Sequence, residues 1–465
     1  MKKLCRRQDG ASGFLLKPMR RIPHYVRALI SALQFRGAHQ EALQALGDVE
    51  WHELLEFCDL AHLTLPLWRN CSEGLPDWVR ERMERNAADN TRRFDNVKQA
   101  YLEVAKAFDE IQIEHLVIKG FAQYPGYVED PRLRMQSDID IYCPPVNCPS
   151  GHSPLEYSQP EQSPSQSILR ARDALQALGY EPFRGLERLP QDHLPAMIRQ
   201  TGWEWRGNAF DPEMPSSIEL HFCLWNQTNA RFTPKGLQDF WPRHVTRKLE
   251  DFSFPSLDPV DNLGFSALHA LRDLFSGDWA LQRIYEIARF LHVNAANKPF
   301  WSRWREMHSD SLRSCEAISF RLARDWFVCD LSEEAETEVR SLSPAVQRWF
   351  HLFSGSPLKG MFHNNKDGVW LHIAVLESAE ERRTVLRNAL LPRRMPALGA
   401  PGQDTTRQGR RKRFWPSHQY AKYLFYLASR AAYHAKTFAP TLFQGARWRF
   451  AARNFGGRFW TTNAN

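Results

Sequence analysis

Ser137-Asp138-Ile139-Asp140-Ile141 is the stretch on which the fold reading turns. Polar and apolar residues alternate from Asp138 to Tyr142, as in a half-buried strand. Ile139 and Ile141 therefore face a core, and both carboxylates project from the opposite face about 7 Å apart. Carboxylates so placed can bridge and flank two divalent cations, which polarise a phosphoryl group and activate an attacking oxygen. For an isolated Asp-x-Asp, an edge strand with a solvated face is the better reading, so the neighbours decide.

Three neighbouring features change the weighting. Leu116-Val117-Ile118 forms a short buried-strand run that ends at Lys119-Gly120. There a helix-like segment opens, and backbone N–H groups beside a glycine can approach phosphates. Arg132 and Arg134 lie just before the aspartates and supply cations for a triphosphate. Ser216 to Phe222 alternates again, with Ile218, Leu220 and Phe222 on one face and Glu219 and His221 on the other, so Glu219 offers a third carboxylate. Each feature has a plainer explanation: a turn at Gly120, an Arg134–Asp130 pair, an exposed Glu219. Their joint occurrence in this order is the informative observation.

Further out, residues 23–115 read as helical, best at Val97, Tyr101, Val104, Phe108 and Ile111, whose spacings of 4, 3, 4 and 3 share one helix face. Cys143 to Ser167 is rich in Pro, Ser and Cys. Ile168, Ala171, Leu175 and Leu178 restore a helical stripe that Gly179 stops. Helix resumes from Asp258, including Leu281, Ile284, Ala288 and Leu291. A linker from Pro396 to Gly409 precedes a last helix carrying Tyr420, Leu424 and Leu427. No internal repeat is present, and the pattern predicts a small mixed sheet held between helical regions.

The chain has 465 residues, 43% hydrophobic and 25% charged, a globular composition with room for about three domains. Its mean hydropathy of −0.52 and the lack of any apolar run near 18 residues predict no membrane span. Basic Lys2, Lys3, Arg6 and Arg7 are followed only by the short apolar Gly13 to Leu16, and the eight cysteines form no framework, so a cytoplasmic location is expected. The net charge of +8 is uneven: residues 381–465 hold 17 Lys/Arg against two acidic residues, whereas the first 380 carry −7.

Lys119-Gly120, Tyr124, Tyr127, Asp130-Pro131 with Arg134, Ser137-Asp138-Ile139-Asp140 and Ile218-Glu219-Leu220-His221 together resemble the uncharacterised bacterial nucleotidyltransferase family of the DNA polymerase beta-like superfamily. Trp51 with Leu65-Pro66-Leu67, His269, Leu281 to Phe290 and Leu391-Pro392 resemble its flanks. The resemblance implies an α+β fold: a small mixed β-sheet nucleotidyltransferase core over 91–250, a helical N-terminal region over 1–90, a helical domain over 251–390, and a basic linker with a helical tail over 391–465. It further implies that Asp138, Asp140 and Glu219 bind two Mg2+ ions and carry catalysis, while Lys119, Gly120, Arg134 and Ser137 hold the triphosphate. A nucleoside monophosphate would pass from a nucleoside triphosphate, ATP first among them, to the hydroxyl of an acceptor the sequence does not name. Three departures stand out. Lys119-Gly120 replaces the superfamily's Gly-Ser, Glu286 stands where Asp is expected, and the connection from Pro144 to Pro164 is longer than the family's, either a substrate-gating loop or merely an insertion. The competing class is a non-catalytic nucleotide-binding or antitoxin-like regulatory module, against which the intact set of three carboxylates argues.

Other signals carry less. Cys143, Cys148 and His152 lack zinc-ligand spacing and a fourth partner. Gly355 to Gly360 lacks the Lys-Ser/Thr of a phosphate loop, and no Gly-x-Ser-x-Gly exists. His221 and His269 are tempting bases, although a lone histidine is usually packed or surface-bound. Arg410-Arg411-Lys412-Arg413-Phe414-Trp415 suits nucleic acid through phosphate contact and stacking. Without a recognisable nucleic-acid module, a fold-back of the tail onto the acidic body is the favoured expectation.

Overall fold

The computed structural model describes residues 22–72, 74–144, 166–183, 186–187, 192–278, 280–391, 397–398 and 417–455. The expected stretch from Pro144 to Pro164, the Cys148 and His152 side chains and the basic run from Arg410 to Trp415 lie almost wholly outside them.

The longer leading helices are α1 (His24–Ala32), α2 (Asp48–Ala61), α3 (Thr64–Cys71) and the 34-residue α4 (Asp77–Glu110), with a single turn of helix at Glu41–Gln44 between the first two. The strands follow as β1 (Leu116–Val117), β2 (Asp138–Tyr142), β3 (Tyr180–Pro182), β4 (Leu186–Glu187), β5 (Met197–Arg199), β6 (Ser217–His221), β7 (Val245–Leu249), β8 (Phe252–Ser256) and β9 (Ala397–Leu398), with α5 (Gln166–Ala177) between β2 and β3. Seven of them form one mixed sheet in the order β3-β5-β6-β2-β1-β8-β7, and β4 pairs with β9 apart from it. The molecule is thus α+β with a mixed sheet between helical regions, as the alternation and periodicity predict.

Period-2 alternation decides what each sheet face does. Ile139, Ile141, Ile218 and Leu220 are fully buried and share one core with Val97, Tyr101, Val104 and Phe108 of α4 and with Ile168, Ala171 and Leu175 of α5. The α4 and α5 stripes read from the sequence are therefore the two that cover this face, and α5 ends just before Gly179, at φ +82°. The other face is left for polar side chains.

Helices α6 (Pro259–Ser276), α7 (Leu281–Asn294), α8 (Lys298–Met307), α9 (Asp310–Phe327), α10 (Glu333–Ser341), α11 (Pro344–Phe353), α12 (Gly368–Val375) and α13 (Ala379–Leu390) follow, then the 39-residue α14 (Ser417–Phe455). Asp258 caps α6 by accepting the Val260 N–H, with Pro259 in the first turn. Residues of α1, α2 and α3 share a single core with α6–α12. At its centre His308, wholly buried, lies between Asp261 of α6 (3.1 Å) and Glu316 of α9 (3.0 Å).

Helix α14 docks on this body. Tyr426, Thr437, Thr441, Gly445 and Trp448 are buried among its described positions, and Trp448 stacks near Phe353 and Trp370. Of the stripe expected at Tyr420, Leu424 and Leu427, Leu424 is 48% exposed, Leu427 is half-buried, and the Tyr420 side chain lies outside what the structure describes. Apolar residues occur on both sides of this helix, so periodicity alone does not select the docked side. None of the helices among the described residues is long and apolar enough to cross a membrane.

Candidate functional site

Strands β2 and β6 run parallel in the register Asp138↔Ser217, Asp140↔Glu219 and Tyr142↔His221. This pairing sets Glu219 beside Asp140 on the face turned away from the core, one pleat before His221. His221 Nε2 donates to Asp140 Oδ1 at 2.9 Å and lies 3.8 Å from Glu219 Oε2. One ligand atom from each of Asp140, Glu219 and His221 lies within 4.8 Å of the others, and all three residues are buried. Asp138 opens β2 on the same face, partly exposed. The donor set is carboxylate-rich with one imidazole, which suits a hard divalent cation such as Mg2+ or Mn2+.

Lys119 and Gly120 stand at the end of β1. Lys119 Nζ donates to Asp140 Oδ1 at 2.5 Å, so this carboxylate is neutralised from within the chain. Gly120 has φ +62°, and a Cβ there would collide with the Gln136 side-chain amide, so a side chain is refused on both counts. Ser137 precedes β2, and its carbonyl accepts the Ser217 N–H at 3.2 Å. Arg134 Nε pairs with Glu286 at 2.8 Å, and both side chains are largely buried. Glu286, the departure noted in the sequence, is therefore the anchor of Arg134. The backbone of this segment is held from α4: Asn90 donates to the carbonyls of Arg132 and Arg134, and the fully buried Arg93 donates to the carbonyls of Gln136 and Asp211. Arg132 is engaged elsewhere, with Asp130 and Glu250.

Several site residues were not singled out by motif. Residues 192–194 run beside the end of β6, so that Asp192 pairs with Arg272 of α6 and the His193 and His221 rings lie 5.1 Å apart. His269, weighed in the sequence as a candidate base, sits between Arg272 and Arg283, neither of which was singled out, and Arg283 Nε lies 2.9 Å from Asp273. Two adjoining clefts open here. Lys119 and His269 border both, with Asp192, His221 and Arg272 on one side and Arg134, Arg283 and Glu286 on the other. The i, i+3, i+4 spacing of His269, Arg272 and Asp273 on a well-capped helix was the available signal. The Asp192 contact had none, because it joins residues 80 apart.

Electrostatics follow from this crowding. Burial pushes the Asp138 carboxyl up, and the Asp140 charge adds to it. Burial would raise Asp140 as well, but Lys119 and His221 outweigh it and hold Asp140 well below the usual carboxylate range. Burial lifts Glu219 to about 7, with Asp140 and Asp138 reinforcing the shift. Burial lowers His221 to about 4. His269 is driven well below its ordinary value, by burial first and then by Arg283 and Arg272, so it is neutral and accepts their N–H groups. Asp138, Asp140 and Glu219 also repel one another, and that repulsion adds to burial in raising Asp138 and Glu219; a divalent cation would relieve it.

The sequence model of a family described as "uncharacterised nucleotidyltransferase" matches residues 47–155 and 163–328, more than half of the chain. The unmatched gap falls within the long connection after β2, and the match ends before Leu391 and the basic tail. No curated protein and no solved structure matches this chain.

Proposed function

The chain belongs to the uncharacterised nucleotidyltransferase family, and from that premise we propose that it is a Mg2+-dependent enzyme transferring a nucleoside monophosphate from a nucleoside triphosphate to an acceptor hydroxyl. One observation carries the reading: the parallel register that sets Glu219 beside Asp140, ringed by Lys119, Arg134, Arg272 and Arg283. Asp138, Asp140 and Glu219 would hold two Mg2+ ions, which when bound supply charge stabilisation at the α-phosphoryl group. Lys119, Arg134 and the Gly120 backbone, with Ser137 alongside, orient the triphosphate. The acceptor oxygen forms its bond to the α-phosphorus as the α,β-anhydride bond breaks and pyrophosphate leaves. Glu219 receives the hydroxyl proton. Little covalent work falls to the protein, so positioning and electrostatics account for the acceleration.

Incubation of the protein with labelled ATP, CTP, GTP and UTP and Mg2+ in a lysate of the source cell, followed by mass spectrometry of whatever gains label, tests the reading. Label is expected on one class of acceptor, with ATP as the expected donor, and is expected to vanish in Asp138→Asn while the fold stays intact by circular dichroism. Undiminished labelling by Asp138→Asn overturns the site assignment.

A further inference from the structure

Helix α14 has a second apolar face. At about 100° per residue, Leu424, Phe425, Ala428, Ala432, Ala435, Ala439, Leu442, Phe443, Ala446 and Phe450 fall in one arc opposite the docked positions Tyr426, Thr437, Thr441 and Trp448. Phe425, Phe443 and Phe450 are 68–69% exposed. Of the ten large hydrophobics that stand exposed among the described residues, six are on this one helix. Scattered exposed apolar residues need no explanation, whereas a contiguous stripe about 39 Å long does.

The inner face fixes the presentation of this stripe. Tyr433 donates to the Asn365 carbonyl at 3.2 Å, Lys366 and His434 are 2.8 Å apart, and a Cβ at Gly445 would come within 2.9 Å of the Trp370 ring. The helix is thus clamped on the body along most of its length, with its Phe-rich side turned to solvent.

The charges say what this face meets. Lys436, Arg447 and Arg449, all exposed, lie along the margins of the stripe. No Asp or Glu occurs after Asp404, while residues 405–465 hold twelve Lys/Arg. A stripe of Phe and Leu bordered by cations, on a helix that itself carries no Asp or Glu, is the pattern of a helix lying in the plane of an anionic lipid surface. A second copy docking through the same face would set Arg and Lys against Arg and Lys. Phosphates alone would leave the phenylalanines in water.

We propose that the outward face of α14 attaches this protein peripherally to membranes rich in anionic phospholipid, with Phe425, Phe443 and Phe450 inserted at the headgroup boundary and Lys436, Arg447 and Arg449 at the phosphates. The site strands lie elsewhere in the fold, so attachment does not depend on the transfer reaction.

The test is sedimentation of the full chain with vesicles of phosphatidylglycerol and phosphatidylcholine in equal parts, against pure phosphatidylcholine. Binding is expected to the mixed vesicles only and to weaken with salt. The Phe425→Ser, Phe443→Ser, Phe450→Ser triple variant is expected to bind at least about a hundredfold more weakly with an unchanged melting temperature, because these side chains touch solvent. Replacing Lys436, Arg447 and Arg449 by Gln is expected to weaken binding about fivefold per charge. Equal retention on both vesicle types, or a triple variant that binds as the parent does, overturns the proposal. A parent that forms a dimer lost in the triple variant, or single-stranded RNA retention lost with the phenylalanines, in either case without lipid binding, also overturns it.

Discussion

Replacing Asp140 and Asp138 one at a time by Asn is expected to move the stability of the metal-free protein in opposite directions. Asp140 is 2% exposed and receives both Lys119 Nζ and His221 Nε2 on one oxygen. Asp140→Asn removes the charge and leaves the Lys119 ammonium, itself only 17% exposed, facing a neutral amide. Severing a buried pair in this way costs about 3–5 kcal/mol, and the residual solvent contact of Lys119 places the expectation near the lower end. Asp138 lies at the other extreme, because burial and then the Asp140 charge raise its carboxyl. A group whose pKa is higher in the folded chain than in the unfolded one favours folding when protonated and opposes it once the pH exceeds both values. At pH 7, well above the unfolded value, Asp138 therefore weakens the metal-free fold, and Asp138→Asn is expected to hold or raise stability. Urea unfolding in the presence of a chelator, read by circular dichroism, gives both values. Adding Mg2+ is expected to raise the midpoint of the parent but of neither variant. An Asp140→Asn protein as stable as the parent, or an Asp138→Asn protein that loses as much as Asp140→Asn, refutes this account of the charges.

Glu286→Ala frees Arg134 from its anchor, so KM for the nucleoside triphosphate should rise roughly tenfold with a smaller change in kcat. Glu286→Asp, the residue expected at this position, should recover part of the loss in steady-state kinetics. His308, raised to about 9 by Glu316 and Asp261 against the cost of its own burial, contributes stability that is complete below its unfolded value of about 6.5 and lost as the pH rises through about 9. The contribution is about 3 kcal/mol, so urea midpoints of the parent should fall from pH 7 to pH 10 while those of His308→Ala, already low, stay flat. Gly120→Ala meets both a positive φ and the Gln136 amide and should destabilise by about 1–3 kcal/mol. Adding Gln136→Ala should relieve only the steric part, and full recovery in the double variant would show that the backbone is not strained.

The alternation in Asp138 to Tyr142 and in Ser217 to His221 is decided by the sequence alone. In a strand the period is 2 whatever the neighbours, so Ile139, Ile141, Ile218 and Leu220 had to share a buried side and Asp138, Asp140, Glu219 and His221 the other. The same locality made the α4 stripe, the α5 stripe and its stop at Gly179 legible, since a helix face is a property of residues three and four apart. Tertiary structure alone decided which strands became neighbours. The parallel β2/β6 register joins residues about 80 apart, and nothing local encodes it. Arg134 reaching Glu286, and Asp192 reaching Arg272, are decided in the same non-local way, by how α6 and α7 pack against the sheet. The sequence displays α14 as apolar on both sides, and only the position of Trp370, Phe353 and Asn365 on the body selected which side is docked. Periodicity reports that a face is apolar. What covers it depends on the shape and chemistry of a surface assembled from the rest of the chain.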